Sequence, residues 1–203
     1  MCLASLYPIL DEAFFPDASA MLDAAGELAA AGCMLLQYRN KSANARQMLD
    51  HARELKRRVG SCVKLIMNDR ADLCLAAEFD GVHVGQDDLS PESVRKIIGP
   101  DRWLGVSTHN PEQLAEADKT SADYLAIGPV FATSSKDKPD PVVGLDGVRR
   151  ARALTRKPLV AIGGITRANA ASVIEAGADS VAVISDLTRA PHKSAEEFFR
   201  ILR

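Results

Sequence analysis

Three cations (Arg39, Lys41, Lys136), two carboxylates (Asp69, Asp88) and four hydroxyls (Ser107, Thr133, Ser135, Ser185) stand at or beyond the ends of apolar runs. An Arg grips a phosphate through parallel N–H bonds, a Lys meets it as a point charge, and hydroxyls supply further donors. A pair of carboxylates suits Mg2+, which fills its other positions with water and substrate phosphate. Together these residue types could bind and activate a phosphorylated ligand beside a divalent cation.

Each assignment has a plainer rival. Alternation along a strand puts Gln37, Arg39 and, in extended chain, Lys41 on one side. Arg39 and Lys41 could be a solvated surface pair, but an amide inside an apolar run needs a partner, and Gln37 therefore favours a site. Asp69 and Asp88 could simply cap the helices that follow them. Beside Arg39, Lys41 and Lys136 they read instead as ligands of one hard cation, with Asp87 a solvent-facing neighbour. Gly163-Gly164 is a common turn, yet after a seventh strand it matches the place where many barrels hold phosphate, as does Ser185 after an eighth. His83, on the side of its strand shared by Gly81 and Gly85, reads as a hydrogen-bonded core histidine. His109 reads as the residue preceding an Asn110 helix cap.

The positioning elements follow from the apolar pattern. Strand-like runs occupy Leu6–Leu10, Cys33–Tyr38, Val63–Met67, Gly81–Val84, Trp103–Val106, Tyr124–Ile127, Leu159–Ile162 and Val181–Ile184. Seven of these eight hand over directly to polar or glycine-rich clusters. Between them lie helical periods, such as Met48, Ala52, Leu55, Val59 and Val94, Ile97, Ile98. Asn110-Pro111-Glu112-Gln113 offers a cap, a first-turn proline and a reciprocal Gln, and Ser194-Ala195-Glu196-Glu197 reads as a capping box opening the last helix. Strict alternation predicts a parallel sheet covered by helices. Eight such units in roughly 200 residues predict a single-domain (β/α)8 TIM barrel over residues 1–203, whose one rim gathers every strand end. A doubly wound open sheet is the alternative, and it would leave some of the clusters far apart. The longest connection, Gly128 to about Asp146, has the length and charge of a binding loop or lid.

Composition narrows the function classes. A chain of 203 residues can bury ~70% of its unfolded surface without a structural metal or disulfide. A formal net charge of −2 and an aromatic content of 5% argue against a nucleic-acid partner. No run approaches the ~18 apolar residues of a membrane span, and the first residues lack the basic, then hydrophobic, pattern of a secretory signal. Cys2, Cys33, Cys62 and Cys74 lack metal-ligand spacing and read as buried free thiols. The expected setting is cytoplasmic, with no membrane and no nucleic acid as partner; a homo-oligomer is left open.

In this order the motifs resemble the thiamine-phosphate synthase family over nearly the whole chain. The resemblance is carried by Gln37-Tyr38-Arg39-Asn40-Lys41, Asn68-Asp69-Arg70, Gly81 through Asp88, Gly105-Val106-Ser107 and Gly128-Pro129-Val130-Phe131. It continues through Thr133-Ser134-Ser135-Lys136, Ala161 through Ile165 and Ala176-Gly177-Ala178-Asp179. It implies small-molecule substrates, 4-amino-2-methyl-5-hydroxymethylpyrimidine diphosphate and 4-methyl-5-(2-phosphoethyl)thiazole or its carboxylated form, joined to give thiamine phosphate and pyrophosphate. It further implies Gln37 on the aminopyrimidine, and Arg39, Lys41, Asn68, Ser107 and Lys136 on the diphosphate. Asp69 and Asp88 would carry Mg2+, and Thr133, Ser135, Gly164 and Ile184-Ser185 would receive the thiazole phosphate. The implied mechanism is loss of diphosphate followed by attack of the thiazole nitrogen, which needs no protein nucleophile. The catalytic groups would be Lys136, Arg39, Lys41 and Ser107. Tyr38, Asn40, Ala132 and Asp186 depart from the family pattern without removing a charged ligand. A thiazole tautomerase on the same barrel, or a non-catalytic phosphate-binding barrel, remain the alternatives, and the joint presence of Arg39, Lys41, Lys136 and the two aspartates weighs against both.

Overall fold

The structure is a computed structural model that describes residues 3–133 and 140–202. Its strands are β1 (Leu6–Asp11), β2 (Leu35–Arg39), β3 (Lys64–Asn68), β4 (Gly81–Val84), β5 (Trp103–Thr108), β6 (Tyr124–Ile127), β7 (Leu159–Ala161) and β8 (Ser180–Val183). They run parallel in sequence order and close, β8 pairing back onto β1 through Leu6 and Val181. The outer helices are α1 (Ala18–Ala30), α2 (Ala45–Val59), α3 (Ala71–Ala76), α4 (Pro91–Ile98), α5 (Pro111–Asp118), α6 (Gly144–Leu154), α7 (Ala170–Glu175) and α8 (Pro191–Ile201). This is the expected (β/α)8 barrel, not an open sheet.

Period-two alternation divides the apolar residues into two cores. Leu6, Leu10, Leu36, Leu65, Met67, Val82 and Leu104 point outward and pack with the buried faces of the helices. Tyr7, Leu35, Ile66, Tyr124, Ala126, Val160 and Ala182 form a separate cluster inside the barrel. Helix α2 buries Met48, Ala52, Leu55 and Val59 as its period predicts. Helix α4 buries Val94 and Ile98, whereas Ile97, a step too far round the helix, is exposed.

Helix starts hold one confirmation and one correction. Asn110 accepts from the Gln113 N–H at 2.8 Å, but the Gln113 side chain reaches back to the His109 N–H at 2.8 Å, one residue before the cap. Ser194 caps nothing. Helix α8 begins a turn earlier at Pro191, whose fixed φ and missing N–H suit a first helical position, and Ser194 lies buried with its N–H on the Ala190 carbonyl at 2.9 Å. Cys33 and Cys74 are buried as expected, and burial pushes both thiols up to about 12. Cys62 is exposed, because it sits in the turn after α2 rather than in β3; Cys2 lies outside the described residues. Among the described residues no helix is long and apolar enough to cross a membrane.

Three aspartates lock the rim at the strands' amino ends. Asp80, Asp123 and Asp179 each precede an even-numbered strand and exchange two bonds with one residue of the neighbouring odd strand. Their N–H groups donate to Leu65, Leu104 and Leu159, each at 2.8 Å. Their carboxylates accept from the N–H of the same three residues at 3.0, 2.7 and 2.7 Å. Lys64, Arg95 and Arg152 pair with the same three carboxylates at 2.8, 2.6 and 2.8 Å.

Inside the barrel, Gly105 creates the space in which the Tyr124 hydroxyl meets the His83 ring, since a Cβ at that position would overlap both side chains. Gly105→Ala should therefore overpack the interior and cost about 1–3 kcal/mol of stability. Urea unfolding of the two proteins measures this, and an unchanged midpoint would show that Tyr124 can step aside.

Candidate functional site

The carboxyl ends of the strands surround a cavity of about 330 Å3. Of the residues expected at the site, Gln37, Arg39, Asn68, Ser107, Thr133, Gly164, Ile184 and Ser185 line it. Lys41, Asp69 and Asp88 are not among its lining residues; Asp69 directly follows the lining Asn68, and Lys41 and Asp88 both meet Asp69. Ser135 and Lys136 lie outside the described residues.

Strand β2 presents its charged end through contacts that only the register reveals. The Arg39 guanidinium pairs with the carboxylate of Asp11, the last residue of β1, whose Cα partner is Arg39 itself. Asp11 is buried, and its other oxygen accepts from the Ala13 N–H at 3.2 Å, so a fixed carboxylate aims the cation. Sequence reasoning does not single out Asp11, although the handover from Leu10 to Asp11-Glu12 carries the signal. The departures from the family pattern have places too. Tyr38 faces outward to His51 at 3.3 Å, and Asn40 accepts from the Ser42 and Ala43 N–H groups at 2.9 Å each, building the turn that carries Lys41.

Asp69 and Asp88 meet at the ends of β3 and β4. Neither caps a helix: Ser90 caps α4, and α3 starts after Arg70 with no side-chain cap. Asp69 has a left-handed φ of 61°, with its N–H on the His83 carbonyl at 2.8 Å, an arrangement that turns its carboxylate toward Lys41 and Asp88. Asp88 accepts from the Gly85 N–H at 2.8 Å, and Asp87 is exposed. Burial raises the Asp69 carboxyl above the usual aspartate value; the Lys41 ammonium opposes that rise and Asp88, hydrogen-bonded and like-charged, adds to it. Two facing carboxylates that repel in this way are hard oxygen donors suited to a shared divalent cation. Among the described residues no group of three or more His, Cys, Asp or Glu side chains converges.

The opposite side of the cavity is lined by backbone. Gly163 and Gly164 have φ of 88° and 67°, and a Cβ on Gly164 would overlap Phe131 and the Ala132 carbonyl. The turn after β7 thus lies flat against the one after β6, with Phe131 donating to the Gly163 carbonyl at 3.1 Å. The Gly164 and Ser185 N–H groups have no acceptor among the described residues. Asp186 ties the β8 turn to the β7 turn, accepting from the Arg167 N–H at 2.8 Å and pairing with its guanidinium at 2.8 Å.

Both histidines near the rim belong to the cavity wall. His83 is buried and hydrogen-bonded as expected, but it lines the cavity as well, Nε2 lying 2.8 Å from the Ser107 hydroxyl and Nδ1 3.0 Å from Tyr124. His109 does more than precede a cap: its Nδ1 donates to the Gly128 carbonyl at 2.6 Å, and its Nε2 lies 3.4 Å from Asp140. Tyr7, which accepts from the Gln37 amide at 2.9 Å, also lines the cavity and escapes sequence reasoning.

A family model described as thiamine monophosphate synthase matches residues 6–187. The thiamine-phosphate synthase of Koribacter versatilis is 61% identical, with 98% of this chain and 96% of that protein covered. The thiamine-phosphate synthase of Shouchella clausii is 42% identical, covering 91% and 88%. Among solved structures, the thiamine phosphate pyrophosphorylase of Pyrococcus furiosus superimposes with a TM-score of 0.87 at 33% identity, covering 98% and 95%.

The carboxylate pair makes a prediction about pH. With its folded pKa raised, Asp69 binds a proton more tightly in the folded than in the unfolded chain. Its contribution to stability is present at low pH and declines as pH rises from the ordinary carboxylate range through the folded value. Asp88→Asn removes the like charge, so Asp69 should titrate lower while burial still holds it above an ordinary aspartate. A carboxyl-carbon NMR titration in cation-free buffer reads the midpoint, and an unmoved one would mean that the two carboxylates do not interact.

Proposed function

Because the chain belongs to the thiamine monophosphate synthase family, we propose that its rim holds two anions at opposite sides of one cavity. It is a thiamine-phosphate synthase, a transferase of thiamine biosynthesis. The observation that carries the reading is the division of the rim: charged side chains at the ends of β2 to β4, and the bare N–H groups of Gly164 and Ser185 after β7 and β8. A diphosphate ester would sit on the first and a phosphate monoester on the second, with a pair of rings between them.

On this reading Arg39, Lys41, Asn68 and Ser107 hold the diphosphate of the aminopyrimidine substrate. Lys136 joins them on the strength of the sequence. Gln37, deeper in the cavity, accepts from the ring amino group. Gly164, Ser185, Ile184, Thr133 and Ser135 receive the phosphate of the thiazole. The facing carboxylates of Asp69 and Asp88 fit Mg2+, which when bound would neutralise charge on the departing diphosphate. The bond from the pyrimidine methylene carbon to the diphosphate oxygen breaks, the electron pair leaving with the diphosphate. The thiazole nitrogen then gives its lone pair to that carbon. No side chain forms a covalent bond, and the protein's contribution is electrostatic stabilisation and alignment. Residues 1–203 act as one catalytic unit, in a cytoplasmic setting where the buried Cys33 and Cys74 stay reduced.

Incubation with both substrates and Mg2+ should yield thiamine phosphate and pyrophosphate. Failure to form either would remove the reading. Asp69→Asn and Asp88→Asn should each raise the Mg2+ concentration needed for half-maximal rate, and an unchanged requirement in both would sink the cation assignment. Lys136→Ala should lower kcat at least ~100-fold, the scale of a lost electrostatic donor, while the thiazole-phosphate Kd moves only a few-fold. A kcat within about threefold of the parent's would contradict a donor role.

A further inference from the structure

Five polar side chains on five strands run through the barrel interior as one hydrogen-bonded chain. Gln37 Nε2 lies 2.9 Å from the Tyr7 hydroxyl, Tyr7 lies 3.0 Å from the Tyr124 hydroxyl, and Tyr124 lies 3.0 Å from His83 Nδ1. His83 Nε2 closes the chain on Ser107 Oγ at 2.8 Å. Its ends are a group placed on the aminopyrimidine and a group placed on the diphosphate, and the inference drawn from it rests on the synthase reading.

The direction of the bonds can be worked out link by link. An amide nitrogen can only donate, so Tyr7 accepts from Gln37. Both tyrosines are fully buried, and burial holds each phenol protonated, its pKa well above the ordinary value. Tyr7 has one proton and one remaining partner, so it donates to Tyr124. Tyr124, accepting there, spends its own proton on His83 Nδ1. That nitrogen is then an acceptor, the ring proton sits on Nε2, and Nε2 donates to Ser107. The Ser107 hydroxyl proton is left with no acceptor among the described residues, on a side chain that lines the cavity.

We propose that this chain has a single direction, which fixes His83 as its Nε2–H tautomer and aims the Ser107 proton at the leaving diphosphate. Tyr7, Tyr124 and His83 are then positioning residues. Turning the Gln37 amide over would reverse every link, spending the Ser107 proton on His83 and facing an N–H at the ring amino group. An anion at one end and an amino group at the other both select the first direction. The Gln37 carbonyl oxygen is then bare toward the cavity, ready to accept from that amino group, and a donor is preset where charge develops. Preset donors of this kind need no reorganisation at the moment of reaction.

The test is long-range 15N–1H correlation NMR of histidine-labelled protein without ligands, with His83 assigned by its loss in His83→Asn. A single Nε2–H tautomer is expected in the parent. In Tyr124→Phe, and separately in Tyr7→Phe, the Nδ1–H form should appear. Pyrophosphate with Mg2+ should bind about tenfold more weakly, the scale of one lost hydrogen bond to an anion, with the thiazole-phosphate Kd within about twofold. A parent His83 protonated on Nδ1 overturns the proposal whether or not either variant folds. So does a folded variant that keeps the single Nε2–H tautomer. The tautomer is read without turnover, so it stays measurable if the protein makes no thiamine phosphate, and that result would count against the synthase reading instead.

Discussion

An eight-stranded parallel barrel has an interior only wide enough for its own side chains, and that limit governs everything at its mouth. A side chain placed inside must either pack or find a partner across the barrel, because little water reaches it. The interior therefore combines packed groups with paired ones. Leu35, Ile66, Val160 and Ala182 supply its hydrocarbon, the linked hydroxyl, amide and imidazole groups of Tyr7, Tyr124, Gln37 and His83 are set among them, and the side chains of Arg39, Lys41 and Asp69 stand at the ends of β2 and β3. A charge enters only where strand ends, turns and solvent can compensate it.

Space for the polar groups is made by glycine. Gly81 lets Trp103 and Ile66 come together lower down, and Gly105 lets Tyr124 reach His83. Neither glycine has positive φ, so their use is room rather than backbone freedom. Gly163 and Gly164 use both properties, turning the chain after β7 while letting it pass against Phe131 and Ala132. The flat backbone that results leaves the Gly164 N–H without an acceptor among the described residues, the kind of backbone donor that suits an anion without a cation beside it.

The positions of the strand ends were legible from the sequence because the passage from apolar to polar residues is a local property of each run. So were the burial of α2 and the cap at Asn110. Partnerships across the barrel were not. Tyr7 and Tyr124 are 117 residues apart, and nothing in either segment names the other. The Asp11 carboxylate that holds Arg39 depends on the register of β1 against β2, which side-chain alternation alone does not set. Ser194 shows the limit of motif reading: a capping pattern lost to a proline three residues earlier, whose ring decided where the helix could start.

The two rims of the barrel use the same residue type for opposite ends. At the amino ends of the strands, Asp80, Asp123 and Asp179 each have a backbone donor and a cation, so their charge is fully compensated by the fold. At the carboxyl ends, Asp69 and Asp88 face each other, with Lys41 on one and a single backbone N–H on the other. Burial and the neighbouring Asp88 both raise the Asp69 carboxyl above the ordinary aspartate value, and only Lys41 opposes them. Stability and function are thereby separated across the length of a strand. The closing contacts at one rim tie each carboxylate into the barrel wall, while the other rim leaves two carboxylates side by side with one lysine and one backbone N–H between them.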